Sequence, residues 1–374
     1  MRTHFKTVLI AVVTFALLAW FFRQANIGEV WREIRSARTW ALAMSLVMTG
    51  LTYAFRASRW QYLLQPIGTV RFQYAFRATV IGFAANAVLP ARIGEVVRPY
   101  LLARHERLPV TATFATIILE RLLDLITVLL LFGLFVLIFD PAASPVDPSV
   151  YRTVKGGGLL AAVGSVLALV MMAVIARHQA QVETSVARAA RVLPPAMAEK
   201  LARLAHTFAE GLAITRDPRR LFMAVLLSFP LWLSIALMIW FVTLAFHMTI
   251  PFLGSFLLLA LLAVGVAVPT PGAVGGFHET FRIGVTAFYG IANDRAVGAA
   301  IVLHAISIVP VTLAGAWFMF REGLNLSRMK RLSEEAQGIE PQSPPGQPGD
   351  DAVARRRSEA LSDEWKAKEG GTLS

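Results

Sequence analysis

Long runs of apolar residues separated by short polar stretches dominate the chain. A bilayer core of about 30 Å is spanned by about 20 apolar residues in a helix, and six runs approach or exceed that length. The six runs are Phe5–Phe22, Trp40–Phe55, Thr111–Phe139, Val154–Ala176, Leu221–Met248 and Ala296–Phe320. The pattern predicts an all-α polytopic integral membrane protein with about six full transmembrane helices.

The first two runs carry charged residues at one end. Arg2 and Lys6 stand at the start of the first run, as in a secretory signal, but the run ends in the bulky Trp20-Phe21-Phe22. Because no small-residue cleavage site follows, we expect an uncleaved anchor. The second run continues into Arg56–Leu64, where we expect the arginines to reach the membrane surface.

Two further apolar stretches are interrupted. Tyr74–Leu102 contains Asn86, Pro90 and Gly94, and Phe252–Gly290 is split by a break rich in proline and glycine. Irregular backbone at membrane depth is tolerated only where protein or a watery cavity covers it. Each stretch is therefore predicted to form a re-entrant helix pair; the alternative is eight ordinary helices with kinks.

These elements follow one another in a repeated order. The series span, span, helix pair, span occurs twice, which predicts an inverted-topology repeat with a site between the halves near the midplane. Arg177–Arg220 carries eight Lys and Arg, whereas Asp140–Lys155 carries only two. The positive-inside rule then places both termini in the cytoplasm. Arg23–Arg38 falls outside despite four arginines, and its helical spacing of apolar residues predicts an interfacial helix.

Composition supports the membrane assignment. Of the 374 residues 56% are hydrophobic and only 16% charged, and mean hydropathy is +0.59, which excludes an ordinary cytosolic enzyme. No cysteine is present, so disulfides and thiolate chemistry are excluded. The net charge of +12 divides into +13 for residues 1–320 and −1 for 321–374. We expect a membrane domain over 1–320, with a basic amphipathic cytoplasmic segment at 177–220, and a disordered cytoplasmic tail over 321–374.

Ionisable residues inside a membrane span are candidates for function, because burying a charge in lipid costs several kcal/mol or more. Glu120, Arg121 and Asp124 stand in an otherwise apolar run. Arg121 and Asp124 are three residues apart and can pair, while Glu120 needs another partner. These residues are candidates for substrate binding; the alternative is an internally satisfied structural network.

The first interrupted stretch supplies a second group of candidates. Arg92, Glu95 and Arg98 are spaced by three on a short helix expected to begin after Pro90. A helix N-terminus with two guanidinium groups suits a phosphate; the alternative is snorkelling at the cytoplasmic surface. Asn86 is expected either to cap this helix or to line the break.

The second interrupted stretch presents His278, Glu279 and Arg282 after Gly275 and Gly276. Glycines there permit close backbone approach or a positive φ. The pair His278-Glu279 lacks the second histidine of a metalloprotease motif, and the seven histidines are scattered. We expect neither a metal site nor a catalytic residue. Since no nucleotide-binding glycine loop is present either, no cofactor or ATPase is expected.

These residues together resemble a known family. Arg59-Trp60, Leu89-Pro90-x-Arg92-x-Gly94-Glu95-x-x-Arg98, Glu120-Arg121-Leu122-x-Asp124 and Pro269-Thr270-Pro271-Gly272 look like the flippase-like membrane domain of lysylphosphatidylglycerol synthases, over about residues 5–320. The resemblance implies lipid translocation in the bacterial inner membrane. The full synthases carry a soluble transferase domain after the membrane part, where this chain has its polar tail, so aminoacyl transfer from tRNA is not expected. His278 separates the glycine pair from Glu279, unlike many members.

The sequence thus predicts a protein that moves an anionic or aminoacylated phospholipid, or another lipid-linked substrate, between leaflets. Its expected partners are membrane lipids with anionic headgroups, a second copy of the chain or a lipid-synthesis enzyme, and no nucleic acid. One alternative is a membrane-embedded transferase with Glu120 or Glu279 as general base. Another is an accessory subunit of a lipid or glycan pathway.

Overall fold

The computed structural model describes residues 20–23, 25–89, 92–178, 204, 206–267 and 270–322. Throughout these residues the regular secondary structure is helical. The α-helices are α1 (Ile27–Ser36), α2 (Thr39–Leu64), α3 (Phe72–Val88), α4 (Gly94–Glu106), α5 (Val110–Ile138), α6 (Pro148–Arg177), α7 (Pro218–Ala245), α8 (Gly254–Ala267), α9 (Gly276–Tyr289) and α10 (Asn293–Arg321). The predicted all-α class is confirmed.

Four helices in the described part of the chain, α5, α6, α7 and α10, are long and apolar enough to cross a membrane. They coincide with four of the six predicted runs. The second predicted run lies in α2, whose 26 residues extend about 39 Å. The first run lies mostly outside the described residues.

Two of the long helices begin with the same local signal. Asp147 and Asp217 accept hydrogen bonds from the backbone N–H groups of Ser149 and Arg219, and a proline follows each aspartate. Capping by aspartate and a proline in the first turn both favour a helix start. Hydrogen bonds from the Ser149 hydroxyl and N–H hold the pKa of Asp147 below its usual value.

The expectation that the arginines of α2 reach the membrane surface is wrong. Arg56 is 4% exposed and Arg59 is fully buried. Because α2 packs along the length of α7 and also contacts α5, these side chains point into the protein. They can stay there because α5 supplies carboxylates on the facing surface.

Helices α3 and α4 form the first hairpin, as predicted for a re-entrant pair. Tyr74, near the start of α3, stacks on His105, near the end of α4, with ring centroids 5.2 Å apart. Near the turn, Gly82 and Gly94 let the backbones touch, since a β-carbon on Gly94 would lie 1.8 Å from the Gly82 carbonyl oxygen. The start of α3 and the end of α4 therefore lie beside each other, at the end of the hairpin opposite the turn.

Helices α8 and α9 form the second hairpin with the same construction. At its open end, a β-carbon on Gly254 would lie 2.4 Å from the Tyr289 hydroxyl. Near the turn, a β-carbon on Gly265 would lie 2.6 Å from the carbonyl oxygen of Gly276. Gly276 thus serves the close backbone approach that its position in the sequence predicts.

Helix packing repeats between the two halves. In the first half α2 is followed by the first hairpin and α5, and in the second α7 is followed by the second hairpin and α10. The first helix of each hairpin packs on the last helix of the other half: α3 on α10, and α8 on α5. The second helix of each hairpin packs on the last helix of its own half: α4 on α5, and α9 on α10. The first helices of the two halves, α2 and α7, pack on each other. This reciprocal set of contacts supports the predicted repeat.

The hairpin turns contain residues in the left-handed region. Helix α4 begins at Gly94, later than the predicted start after Pro90, and Arg92 precedes it with φ of 55°. In the second hairpin Gly272 and Ala273 have φ of 60° and 57°. A β-carbon on Gly272 would lie 3.3 Å from the carbonyl oxygen of Ala87 at the end of α3, so the two turns meet inside the protein.

Other predicted segments are partly visible. The apolar residues of 27–36 form α1, which packs on α10 and buries Val30 while Ile27 and Trp31 stay exposed. Of the predicted segment 177–220, the described end packs into the protein, with Leu212 buried and Gly211 against Ala112 of α5. Residues 179–203 of that segment and 323–374 of the predicted tail lie outside the described residues.

Candidate functional site

A cavity of about 470 Å³ lies where the two hairpin turns meet, enclosed further by α2, α5, α7 and α10. Asn86 and Ala87 line it from the first hairpin, and Thr270 and Gly272 from the second. Most of the wall is apolar. Its charged side chains are concentrated on the side formed by α2, the first hairpin and α5: Arg56, Arg92, Glu95, Arg121 and Asp124.

Behind this wall, Arg98 and Glu120 form a buried ion pair. The two terminal nitrogens of Arg98 donate to the two carboxylate oxygens of Glu120 at 2.8 and 3.1 Å. The Arg98 guanidinium lies 3.9 Å above the ring of Trp60, whose indole N–H donates to Thr116. Arg98 is 2% exposed and Glu120 is fully buried, and neither residue lines the cavity.

Asp124 links the buried layer to the cavity. Its Oδ1 lies 2.7 Å from Nη1 of Arg59 and accepts a hydrogen bond from Trp232 at 2.9 Å. Its Oδ2 lies 3.4 Å from Arg56, which also lies 3.5 Å from Glu120. Arg56 is therefore shared between two carboxylates while its side chain reaches the cavity wall.

The outer part of the cluster is looser. Arg121 lies 3.7 Å from both Asp124 and Glu95, and Arg92 lies 3.7 Å from Glu95. The side chains of Arg92 and Arg121 are 51% and 38% exposed. The predicted pairing of Arg121 with Asp124 is present, but at a distance that leaves the guanidinium groups free to take another anion.

The charges in this region do not balance. Among the described residues, the buried arginines Arg56, Arg59 and Arg98 face only two buried carboxylates, those of Glu120 and Asp124. The Nε atoms of all three arginines are buried without a hydrogen-bond partner in this part of the chain. A buried positive charge without its counter-ion is costly, especially in lipid. The cluster therefore has unused capacity for an anion.

Asn86 lines the cavity instead of capping α4. Its Oδ1 is buried and accepts no hydrogen bond from the described residues, and α4 has no side-chain cap there. Of the two roles expected for Asn86, capping the helix or lining the break, the structure shows that it lines the break. An amide facing the cavity can donate to a bound oxygen atom.

The candidates from the second hairpin form a separate group. Arg282 donates to both carboxylate oxygens of Glu279, at 2.8 Å for one of the two bonds, and to Asn293 at 3.1 Å. Glu279 also accepts a hydrogen bond from Trp20. Neither Glu279 nor Arg282 lines the cavity, so the structure does not join them to the cluster on the first hairpin.

His278 is buried beside a residue that sequence reasoning did not select. Its ring lies 4.5 Å from the ring of His304, and its Nδ1 accepts a hydrogen bond from Gly275 N–H at 3.3 Å. His304 lies 2.8 Å from the carbonyl oxygen of Gly272. Gly275 itself has φ of 90°, so it adopts the positive φ that was one of the two possibilities predicted for the glycine pair.

Three other residues of the site were missed as binding candidates. Arg56 and Arg59 were assigned to the surface, although two arginines in an apolar helix are the same signal that selected Glu120. Trp232 looks like any aromatic residue of a span, and only its contact with Asp124 distinguishes it. Within the described residues no three of His, Asp and Glu lie close enough to hold a metal ion.

Comparison with known proteins gives matches along most of the chain. The family described as lysylphosphatidylglycerol synthase TM region matches residues 8–315. Glycosyltransferase AglD of Haloferax volcanii is 24% identical over 88% of this chain and 56% of its own length. Two UPF0104 membrane proteins, of Methanocaldococcus jannaschii and Methanothermobacter thermautotrophicus, are 22% and 28% identical over 35% and 36% of this chain. This chain covers 40% and 42% of their lengths, so it spans about half of the relatives that it matches.

Proposed function

The chain belongs to the lysylphosphatidylglycerol synthase TM-region family of membrane proteins, and from that premise we propose that it carries an anionic lipid headgroup between leaflets. The headgroup occupies the cavity between the two hairpin turns, and the acyl chains remain in the surrounding lipid. Broken helices between two repeats are where transporters place such sites.

The observation that carries this proposal is the positive surplus beside the cavity. The buried cluster has one more arginine than carboxylates, and the two outer arginines, Arg92 and Arg121, face the single carboxylate of Glu95. A phosphate would accept hydrogen bonds from several guanidinium groups at once. The negative charge of the phosphate would also reduce the free-energy cost of burying the surplus positive charge in a membrane.

The residues take different roles in this proposal. Arg56, Arg92 and Arg121 bind the phosphate, because all three line the cavity. Arg98, which the sequence placed among the phosphate ligands, has both terminal nitrogens on Glu120. Glu120 acts on the site through Arg56, which lies 3.5 Å from it at the cavity wall.

Vesicles reconstituted with the purified protein test the proposal. A fluorescent phosphatidylglycerol placed in one leaflet is expected to reach the other faster than the same label on phosphatidylcholine. The variants Arg92→Ala and Arg121→Gln should each slow phosphatidylglycerol by about tenfold, since one lost charge-assisted hydrogen bond is worth about 1.5 kcal/mol or more. Arg104→Gln, at an exposed arginine of α4, is the matched control. Equal rates in the wild type and both cavity variants would remove the basis for this site.

A transferase is the second candidate, favoured by the similarity to a protein named glycosyltransferase AglD. The geometry gives it less support, because Glu120 is held by Arg98 and Glu279 by Arg282, leaving neither carboxylate free as a base. Lipid extracts of deletion and complemented strains separate the two functions. A missing modified lipid indicates the transferase, whereas a lipid that is made but confined to one leaflet indicates the transporter.

We also propose that the protein lies in a bacterial inner membrane with both termini in the cytoplasm. The eight Lys and Arg of Arg177–Arg220, against two in Asp140–Lys155, support this orientation. Reporter fusions after α5 and α10 test it. The fusion after α5 should report the outside and the fusion after α10 the cytoplasm; the reverse result would overturn the orientation.

A further inference from the structure

The second hairpin contains a buried pair of titratable groups that the proposed headgroup site does not use. His278 lies in the first turn of α9 and is 6% exposed. His304, on α10, lies with its ring centroid 4.5 Å from that of His278. The rings of Phe21 and Phe277 pack against the pair at 5.2 and 5.0 Å.

Each histidine bonds to the backbone of the hairpin turn. His304 Nε2 lies 2.8 Å from the Gly272 carbonyl oxygen, which fixes its proton on that nitrogen. His278 Nδ1 accepts from Gly275 N–H, so it must be unprotonated there. The pair thus fastens both ends of the turn, and the residue it holds, Gly272, is the one that meets Ala87 of the first hairpin.

Nearby charged groups offer the pair no counter-ion. On α9, Arg282 donates a hydrogen bond to Glu279. Trp20, which precedes α1, also donates to Glu279, and the guanidinium of Arg23 stacks on the Trp20 ring. The described turn residues 270–275 contain no ionisable side chain. Among the described residues of α10 and α3, no carboxylate forms an ion pair with either histidine; the histidine ion pairs in this part of the protein involve His105 and His206.

A proton added to this pair therefore favours a state in which the histidines no longer hold the hairpin turn against α3. It would place an uncompensated charge in an apolar site, at the positive end of the α9 dipole if carried by His278. On His278 it would also remove the acceptor for Gly275 N–H. Protonation of His304 would strengthen its one hydrogen bond, to the Gly272 carbonyl oxygen, but a single charge-assisted bond gains less than burying an unpaired ion costs.

We propose that the His278–His304 pair is a proton-binding site whose protonation releases the turn of the second hairpin from α3. Proton binding would then drive the movement of the lipid headgroup between leaflets. The driving role rests on the proposed function, whereas proton binding and release of the turn do not. A proton as the coupling ion gives the protein an energy source that needs no nucleotide.

Thiol labelling tests release of the turn without any transport. Because the chain has no cysteine, Ala87→Cys is the single labelling site, and a water-soluble maleimide measures how often the turn leaves it. The double variant His278→Asn/His304→Gln keeps an acceptor at the His278 Nδ1 position and a donor at the His304 Nε2 position but does not titrate. His247→Gln is the control, since His247 also lies against a backbone carbonyl, that of Ser36, outside the hairpin.

The labelling rate with native histidines, divided by the rate in the double variant at the same pH, cancels the pH dependence of the thiol. This ratio should rise by about tenfold between pH 8 and pH 5, which lies within the limit of about tenfold per pH unit set by the binding of one proton. The His247→Gln chain should show the same rise. A ratio that stays constant with pH, or a rise that His247→Gln abolishes, would overturn the proton site.

Vesicles with a pH gradient then test coupling. The wild type should accumulate fluorescent phosphatidylglycerol in one leaflet, and the double variant should only equilibrate it. Equal accumulation in both proteins, or equilibration by both, would overturn coupling while leaving translocation intact. If neither moves the lipid but labelling follows pH, the proposed function fails and the proton site stands.

Discussion

Replacing Glu120 by glutamine tests whether the buried charge cluster holds the membrane domain together. Glutamine keeps the shape of the side chain and removes its charge. Glu120 lies within 2.8 to 3.7 Å of three buried guanidinium groups, those of Arg98, Arg56 and Arg59. The substitution therefore affects all three buried arginines at once.

The expected cost follows from the charge count. With Glu120 the buried cluster carries a surplus of one positive charge, and Glu120→Gln raises it to two. Removing one member of a buried ion pair costs about 3–5 kcal/mol, because the remaining charge is left without its partner. The double variant Arg98→Met/Glu120→Gln returns the surplus to one. We expect it to be more stable than Glu120→Gln alone, although it has lost one more native side chain.

Denaturant titration of the purified protein in detergent, followed by tryptophan fluorescence, measures these free energies of unfolding. Glu29→Gln is the matched control, since Glu29 pairs with Arg32 on the exposed face of α1 and should cost less than about 1 kcal/mol. A loss for Glu120→Gln as small as that control, or a double variant less stable than Glu120→Gln, would refute the reasoning.

Two further substitutions have outcomes that follow from packing. Gly94→Ala should abolish folding or cost more than about 3 kcal/mol in the same titration, because its β-carbon would lie 1.8 Å from the Gly82 carbonyl oxygen; Gly50→Ala, with open space around it, should be neutral or slightly stabilising. Trp60→Phe should cost about 1–2 kcal/mol, since it leaves the buried Thr116 hydroxyl without its donor; a loss below about 0.5 kcal/mol would contradict this role.

Hydropathy predicted the helices of the fold well. The runs that became α5, α6, α7 and α10 and both interrupted stretches are visible in the sequence because lipid requires about 20 apolar residues per span and permits breaks only under cover. The start of α4 was less predictable. Proline at 90 suggested an early start, whereas a left-handed residue at Arg92 delays the helix to Gly94.

The site was predicted in part. Glu120, Arg121 and Asp124 stand out because charges in an apolar span are rare, but which of them face the cavity depends on packing between helices. Arg98 and Arg92 share one helical spacing in the sequence, yet Arg98 is held behind the wall and Arg92 lies on it. The pairing of His278 with His304 depends on how α9 packs on α10, which no local pattern encodes.

The lipid retained by the purified protein tests the central claim most directly. Native mass spectrometry of protein extracted in mild detergent should find an anionic lipid bound in about one copy per chain. Arg121→Gln should lose most of it, and Arg104→Gln should retain it, because Arg121 lines the cavity and Arg104 does not. Retention of zwitterionic lipid alone, or equal retention of the anionic lipid by both variants, would contradict an anionic headgroup site between the hairpin turns.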